Sequence, residues 1–263
     1  MKMEKKIMFQ KVFVFSAFLA AGLYASASVC FAGGELQMQL AADTINITTF
    51  YNGTTLEVRG TAPAETDVVL EVSGPKQDVH LKEKGKVLGF LWMNKSDVTL
   101  ENAPADYMIY TPENAGGDII GLQTGIGYQS VGQDIIINPE TEDRTFIFGE
   151  YVKLMEKAGV YAINQGAVTY GPVKGGIKPF SATLIIPSKM SAGKYQVKAF
   201  ALQHGVVADQ VQTDLTIQLQ GFPAIISSMA FNRSLMFGIM AVVIAIAAGL
   251  LVGVLFKSGG GSH

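Results

Sequence analysis

The chain is short of the residues that most protein chemistry relies on. It has one cysteine, Cys30, one tryptophan, Trp92, and three histidines in 263 residues. A lone thiol makes no intrachain disulfide. Cys30 also falls in a segment read below as a removable leader, so the body is left with neither disulfides nor thiolate chemistry. His80, His204 and His263 lie far apart and at no metal-ligand spacing. No Gly-x-Ser-x-Gly elbow is present to raise a nucleophilic serine. Gly121-x-x-x-Gly125-x-Gly127 lacks the following Lys-Ser/Thr of a phosphate cradle. The acidic run Glu140, Glu142 and Asp143 lacks the ordered oxygen spacing of a calcium loop and reads as a solvated loop. Catalytic, metal and cofactor-binding residues are all expected to be none, and no cofactor is expected.

What the sequence does have is a long apolar run. Leu235 to Phe256 holds 22 residues without a charge, flanked by Arg233 and Lys257. At about 1.5 Å of rise per residue this run crosses a hydrocarbon layer about 30 Å thick. The opposite end carries a different membrane signal. Lys2, Lys5, Lys6 and Lys11 precede an apolar stretch from Val12 to Leu23, and small residues follow up to Ala32. That order is a secretory signal peptide over residues 1–32, with cleavage after Ala32; an uncleaved signal anchor is the alternative. The leader sends residues 33 to about 230 across a bacterial inner membrane, the final helix halts transfer, and residues 257–263 stay in the cytoplasm. Arg233 and Lys257 balance, so the charge rule is silent and the leader carries the orientation. Without the leader the chain has 16 basic and 21 acidic side chains, a net of −5. That argues against nucleic acid or anionic lipid as a main partner.

Between the two ends the text is written in twos. Ile45 and Ile47, Leu56 and Val58, Val68, Leu70 and Val72, and Val79 and Leu81 alternate with partners pointing the other way. Ala182, Leu184 and Ile186, then Tyr195, Val197 and Ala199, then Leu215, Ile217 and Leu219 resume the pattern. Period-two alternation broken by turn residues predicts antiparallel strands and a mainly β fold of one or two immunoglobulin-like sandwich lobes. Two lobes are favoured, one at 33–111 and one built on the strands of 161–221, the second carrying the helix near 146–158. Trp92 is expected in the core. Tyr195 follows Gly193 at the start of a strand, which predicts a ring against the core and a hydroxyl bonded to nearby backbone. His80 is expected on a strand, and His204 with Gly205 in a hairpin turn.

Residues 112–160 break this rhythm. Glycines punctuate the segment up to Gly127, which reads as a loose helix or a long loop. Phe148, Tyr151, Val152 and Met155 then fall at i, i+3, i+4 and i+7 and predict an amphipathic helix near 146–158, closed by Gly159. The segment Gly221–Phe231 approaches the bilayer and is expected to lie in its interface, and this juxtamembrane stretch, 222–234, leads into the transmembrane helix at 235–256. Inside that helix Ala241, Ala245, Gly249 and Gly253 recur every four residues. The resulting small-residue face allows a second helix to approach closely. The expected partners are therefore a membrane protein or a second copy of the chain, together with the bilayer. The span holds no ionisable residue, so it is not expected to conduct ions or protons.

Several short motifs in order carry a resemblance: Asp43-Thr-Ile-Asn-Ile-Thr48, Asn52-Gly-Thr-Thr-Leu56, Gly60, Asp67-Val-Val-Leu70, Gly74-Pro75, Gly89-Phe-Leu-Trp-Met-Asn94 and Asn102-Ala-Pro104. Leu184-Ile-Ile-Pro187, Gly193-Lys-Tyr195 and the terminal helix continue it. The chain resembles a bacterial family described as "putative transmembrane proteins" of alpha-proteobacteria and relatives. The resemblance implies a periplasmic β-domain with one C-terminal anchor. It also implies an accessory role beside permeases of the sulfite/sulfonate exporter type, and it supplies no catalytic residue. The expected function is thus a non-enzymatic, membrane-anchored periplasmic accessory protein. A small-anion binding module using the Gly-rich Ala115–Gly127 segment is the alternative, and an enzyme of unknown type comes third.

Overall fold

The computed structural model describes residues 36–87, 90–113, 121, 124–140 and 143–257. The expected leader, most of the Gly-rich stretch, Glu142, His263 and the side chain of Trp92 lie outside the described residues. The alternating segments form the strands β1 (Gln37–Leu40), β2 (Thr44–Ile47), β3 (Thr54–Pro63), β4 (Asp67–Ser73), β5 (Lys76–Val87), β6 (Leu91–Pro104) and β7 (Tyr107–Tyr110). After them come β8 (Ile136–Asn138), β9 (Tyr161–Asn164), β10 (Val168–Tyr170), β11 (Ile177–Ile186), β12 (Gly193–Gln203) and β13 (Val206–Leu219). The helices are α1 (Tyr128–Asp134), α2 (Arg144–Ala158), α3 (Phe222–Asn232) and α4 (Ser234–Lys257).

The strands assemble into three sheets, in the orders β1-β3-β11-β10, β2-β13-β12-β4-β7-β9 and β5-β6-β8. The first two face each other across one core. Val58 and Leu184 reach into it from one side, and Leu70, Val197 and Leu215 from the other. Each such fully buried aliphatic side chain contributes about 1.5–3 kcal/mol relative to exposure. The halves expected as separate lobes are not separate. β3 pairs with β11, and β4 pairs with β12, each over at least seven residues of register. Strands from before residue 111 and after residue 160 thus share both sheets, and together they build one sandwich.

The six-stranded sheet is the middle layer of the protein. Val68, Leu70 and Val72 point into the sandwich core, while Val69 points the other way into a second core. That second core also holds Leu100 of β6, Ile137 of β8 and Tyr151 of α2. β4 is consequently buried on both faces, although an outward-facing side was expected of it. The segment 112–160 provides the cover. Tyr151 and Val152 of α2 are buried, and Phe148 and Met155 pack against the second core. Gly159 caps the helix at φ 79°, a left-handed conformation that glycine adopts without steric cost. β8 was not expected from the sequence; its three residues pair with Thr99, Leu100 and Glu101 of β6. His204 and Gly205 form the β12–β13 turn with φ of 52° and 76°, the positive-φ pair of a two-residue hairpin.

Candidate functional site

On the second-core face of the middle sheet, alternation places Glu71 and Ser73 of β4 beside Gln196 and Lys198 of β12. These residues, with Tyr107 of β7, Lys76 and Asp134, border an open cleft of about 280 Å³. Glu71 is only 6% exposed. A buried carboxylate needs partners, and it has them. The Tyr107 hydroxyl donates to Oε2 at 2.6 Å, and Lys198 Nζ donates to Oε1 at 3.4 Å. The same tyrosine oxygen accepts the Gly127 N–H at 3.0 Å. Burial, and after it the charge and hydrogen bond of Glu71, push the Tyr107 pKa well above its ordinary value. The phenol therefore keeps its proton and works as a fixed donor. Around it stand Tyr128 and Tyr161, their ring centroids 6.1 and 6.0 Å away, and Tyr151 lies 5.7 Å edge-on from Tyr161. The Tyr161 hydroxyl donates to the Pro104 carbonyl at 2.8 Å and meets the Tyr151 hydroxyl at 3.2 Å. Chemically, the group is a clamp that joins β4, β7, β12 and the Gly127 loop.

A second buried polar group sits in the β6–β7 connection. Asp106 is 1% exposed, and its Oδ2 lies 2.5 Å from the Tyr195 hydroxyl. Tyr195 follows the expected pattern: its ring is buried in the sandwich core and its hydroxyl lies 2.8 Å from the Ser191 carbonyl. One phenolic proton faces two acceptors, and Asp106 Oδ1 has no hydrogen-bond partner. Protonating Asp106 resolves the conflict, since the acid then donates to the phenol and the phenol to Ser191. Burial pushes the Asp106 pKa up to about 6, against the smaller lowering effects of Tyr195 and the Ser191 backbone.

The residues singled out in the sequence fall elsewhere. His80 stands on β5 with Nδ1 3.0 Å from Thr99 Oγ1, on the third sheet. Glu140 and Asp143 are exposed in the loop before α2. Ala241, Ala245, Gly249 and Gly253 all lie on α4, exposed along its length. A Cβ built on Gly249 or Gly253 meets nothing within 4 Å. The stretch Ser234–Phe256 is the one helix among the described residues long and apolar enough to cross a membrane, with mean hydropathy 2.9. Sequence reasoning missed the Glu71–Tyr107–Lys198 clamp and Asp106. The available signal was a single acid in the otherwise apolar Val68-Val-Leu-Glu-Val72, since a charge inside a doubly buried strand must be paired.

Compared with known proteins, residues 35–258 match the family described as "Putative transmembrane protein (Alph_Pro_TM)". No curated protein matches the chain. Among solved structures, a family 123 glycoside hydrolase from Clostridium perfringens aligns over 72% of this chain and 28% of its own, at 9% identity and a TM-score of 0.26. The chain spans about a quarter of that enzyme, and a likeness at that level transfers neither fold nor activity.

Proposed function

The chain belongs to this transmembrane protein family, and from that premise we propose that it is a non-enzymatic, single-pass accessory protein. Its β-body stands on the periplasmic face of a bacterial inner membrane, and α4 packs on an integral membrane partner. The observation that carries this reading is α4 itself. None of its apolar span is buried within the chain. Lipid tails offer a helix no hydrophobic reason to associate, so helices meet in bilayers where small residues let backbones approach. Ala241, Ala245, Gly249 and Gly253 supply such a face. The resemblance of the sequence to proteins found beside sulfite/sulfonate-type permeases supports an anion exporter as the partner. Affinity purification of the full chain in mild detergent tests the proposal: a polytopic membrane protein is expected to co-purify, and recovery of the chain alone as a monomer would contradict it.

The rival reading, a small-anion binding module, draws support from Lys76 and Lys198 at the cleft. Glu71 and Asp134 match them charge for charge, with Lys198 3.4 Å from Glu71 and Lys76 3.8 Å from Asp134. The Gly127 N–H is already spent on Tyr107. Thermal unfolding of the full chain with sulfite, sulfate, thiosulfate or a sulfonate discriminates the two. A midpoint raised by one anion alone would favour the module, and no shift with any of them is expected.

A further inference from the structure

We propose that the end of the β-body from which α3 emerges is itself a membrane-contact face, with the Phe50 loop and the whole of α3 seated in the interfacial layer of the bilayer that α4 spans. The proposal rests on α4 being the span and not on the accessory role or on the side of the membrane.

Three observations converge on that end. First, the β2–β3 loop sits beside the point where the chain leaves the sheet. β2 runs parallel to β13 with Ile47 opposite Leu219, and Gln220 N–H donates to the Ile47 carbonyl at 2.8 Å. Phe50 is three residues past Ile47, a reach of at most about 11 Å. Its side chain is 94% exposed. The neighbouring Tyr51 is pinned, its hydroxyl donating to the Ile186 carbonyl at 3.2 Å, so the loop is held while Phe50 projects.

Second, α3 has no residue buried against the body and no charged residue in Phe222-Pro-Ala-Ile-Ile-Ser-Ser-Met-Ala-Phe-Asn232. Phe222, Ile225 and Phe231 are exposed, Phe231 at 86%. Asn232 Nδ2 reaches Ser228 Oγ at 3.4 Å, so polar groups gather one turn apart on the helix. Only Arg233 separates α3 from the membrane helix, with the backbone bent at φ −140° and ψ 51°. A short apolar helix joined by one residue to a span finds its solvent at the headgroup–acyl boundary.

Third, the exposed charge of the three segments at this end has one sign, the one acid packed beneath them being the buried Asp106. Residues 48–53, 187–194 and 220–233 hold Lys189, Lys194 and Arg233 and no acid. All three cations are exposed. The body as a whole is net acidic, so a basic rim around apolar side chains at the tethered end fits an anionic headgroup layer.

The test uses the full chain in a Cys30→Ser background, reconstituted in phosphatidylcholine–phosphatidylglycerol vesicles. Bimane is attached at Phe50→Cys, Ile225→Cys, Val206→Cys or Ile246→Cys, one at a time, and quenching by doxyl-labelled lipids is read. Val206 is 66% exposed at the far tip of the β12–β13 hairpin, roughly 40 Å up the sheet by strand rise. Ile246 reports the span. The expected result is several-fold stronger quenching at positions 50 and 225 than at 206, by doxyl near the headgroup, with 246 quenched by doxyl near the chain end. Quenching at 246 with 50 and 225 as silent as 206 would overturn the contact face and leave the span intact; crosslinking between copies at 50 in that case would reassign the face to self-association. Quenching at only one of 50 and 225 also overturns the face as drawn. Silence at 246 would remove the span and this inference with it.

Discussion

At the scale of single residues, the most consequential side chain is Asp106. A carboxyl whose pKa is about 6 in the fold and 3.8 as the ordinary value binds its proton more tightly folded than unfolded. Above pH 6 the folded state holds this group as an unfavourably buried anion; below pH 4 both states are protonated and the penalty is gone. Stability from this group therefore falls as pH rises from about 4 to about 6, by roughly 2–3 kcal/mol. The groups facing it are Tyr195 and the Ser191 N–H on the β12 side, Tyr151 from α2 and Tyr161 from β9. Asp106→Asn keeps, in its amide N–H, a donor for the Tyr195 oxygen and removes the titration. Its unfolding midpoint is expected to exceed the native chain's at pH 7.5, with the difference vanishing near pH 4. A constant difference across that range would show that Asp106 does not titrate there. The sequence revealed Tyr195 because a Gly-x-Tyr strand start is a local pattern. It hid Asp106 because the partners that bury it come from β9, β12 and α2, as many as 89 residues away.

At the scale of elements, periodicity was readable wherever one face meets a core and the other meets solvent. β11, β12 as far as Ala199, and β13 alternate as expected, and α2 buries Tyr151 and Val152 and ends at Gly159. It misled where both faces are covered: β4 reads as half-exposed because Glu71 sits on the second face, although Tyr107 and Lys198 pay for its burial. β8 is three residues long, too short for any period to show, and exists through pairing with β6. α4 is the opposite case, an element whose length and composition declare its environment with none of its apolar span buried in the body. On the proposed packing of its small-residue face against a partner helix, Gly249→Leu with Gly253→Leu is expected to abolish co-purification while leaving membrane insertion intact. Unchanged co-purification would show that the partner is held by another surface.

For the whole molecule, the topology explains why a break in the middle of the sequence is not a break in the fold. Residues 112–160 interrupt the strand rhythm, yet they cover the second face of a sheet whose strands come from both sides of the interruption. Sheet partners more than a hundred residues apart, such as Leu56 opposite Leu184, leave no local trace, so the strand content was legible and the pairing was not. Among the described residues the same arrangement gives the body two cores and leads from β13 through α3 into α4, so that every proposed role is set at a membrane. Protease added to intact spheroplasts, with inverted inner-membrane vesicles as the counterpart, tests that account most directly. Digestion of the β-body in spheroplasts and its protection in inverted vesicles is the predicted result; a body left whole in spheroplasts and cleaved in inverted vesicles would contradict it.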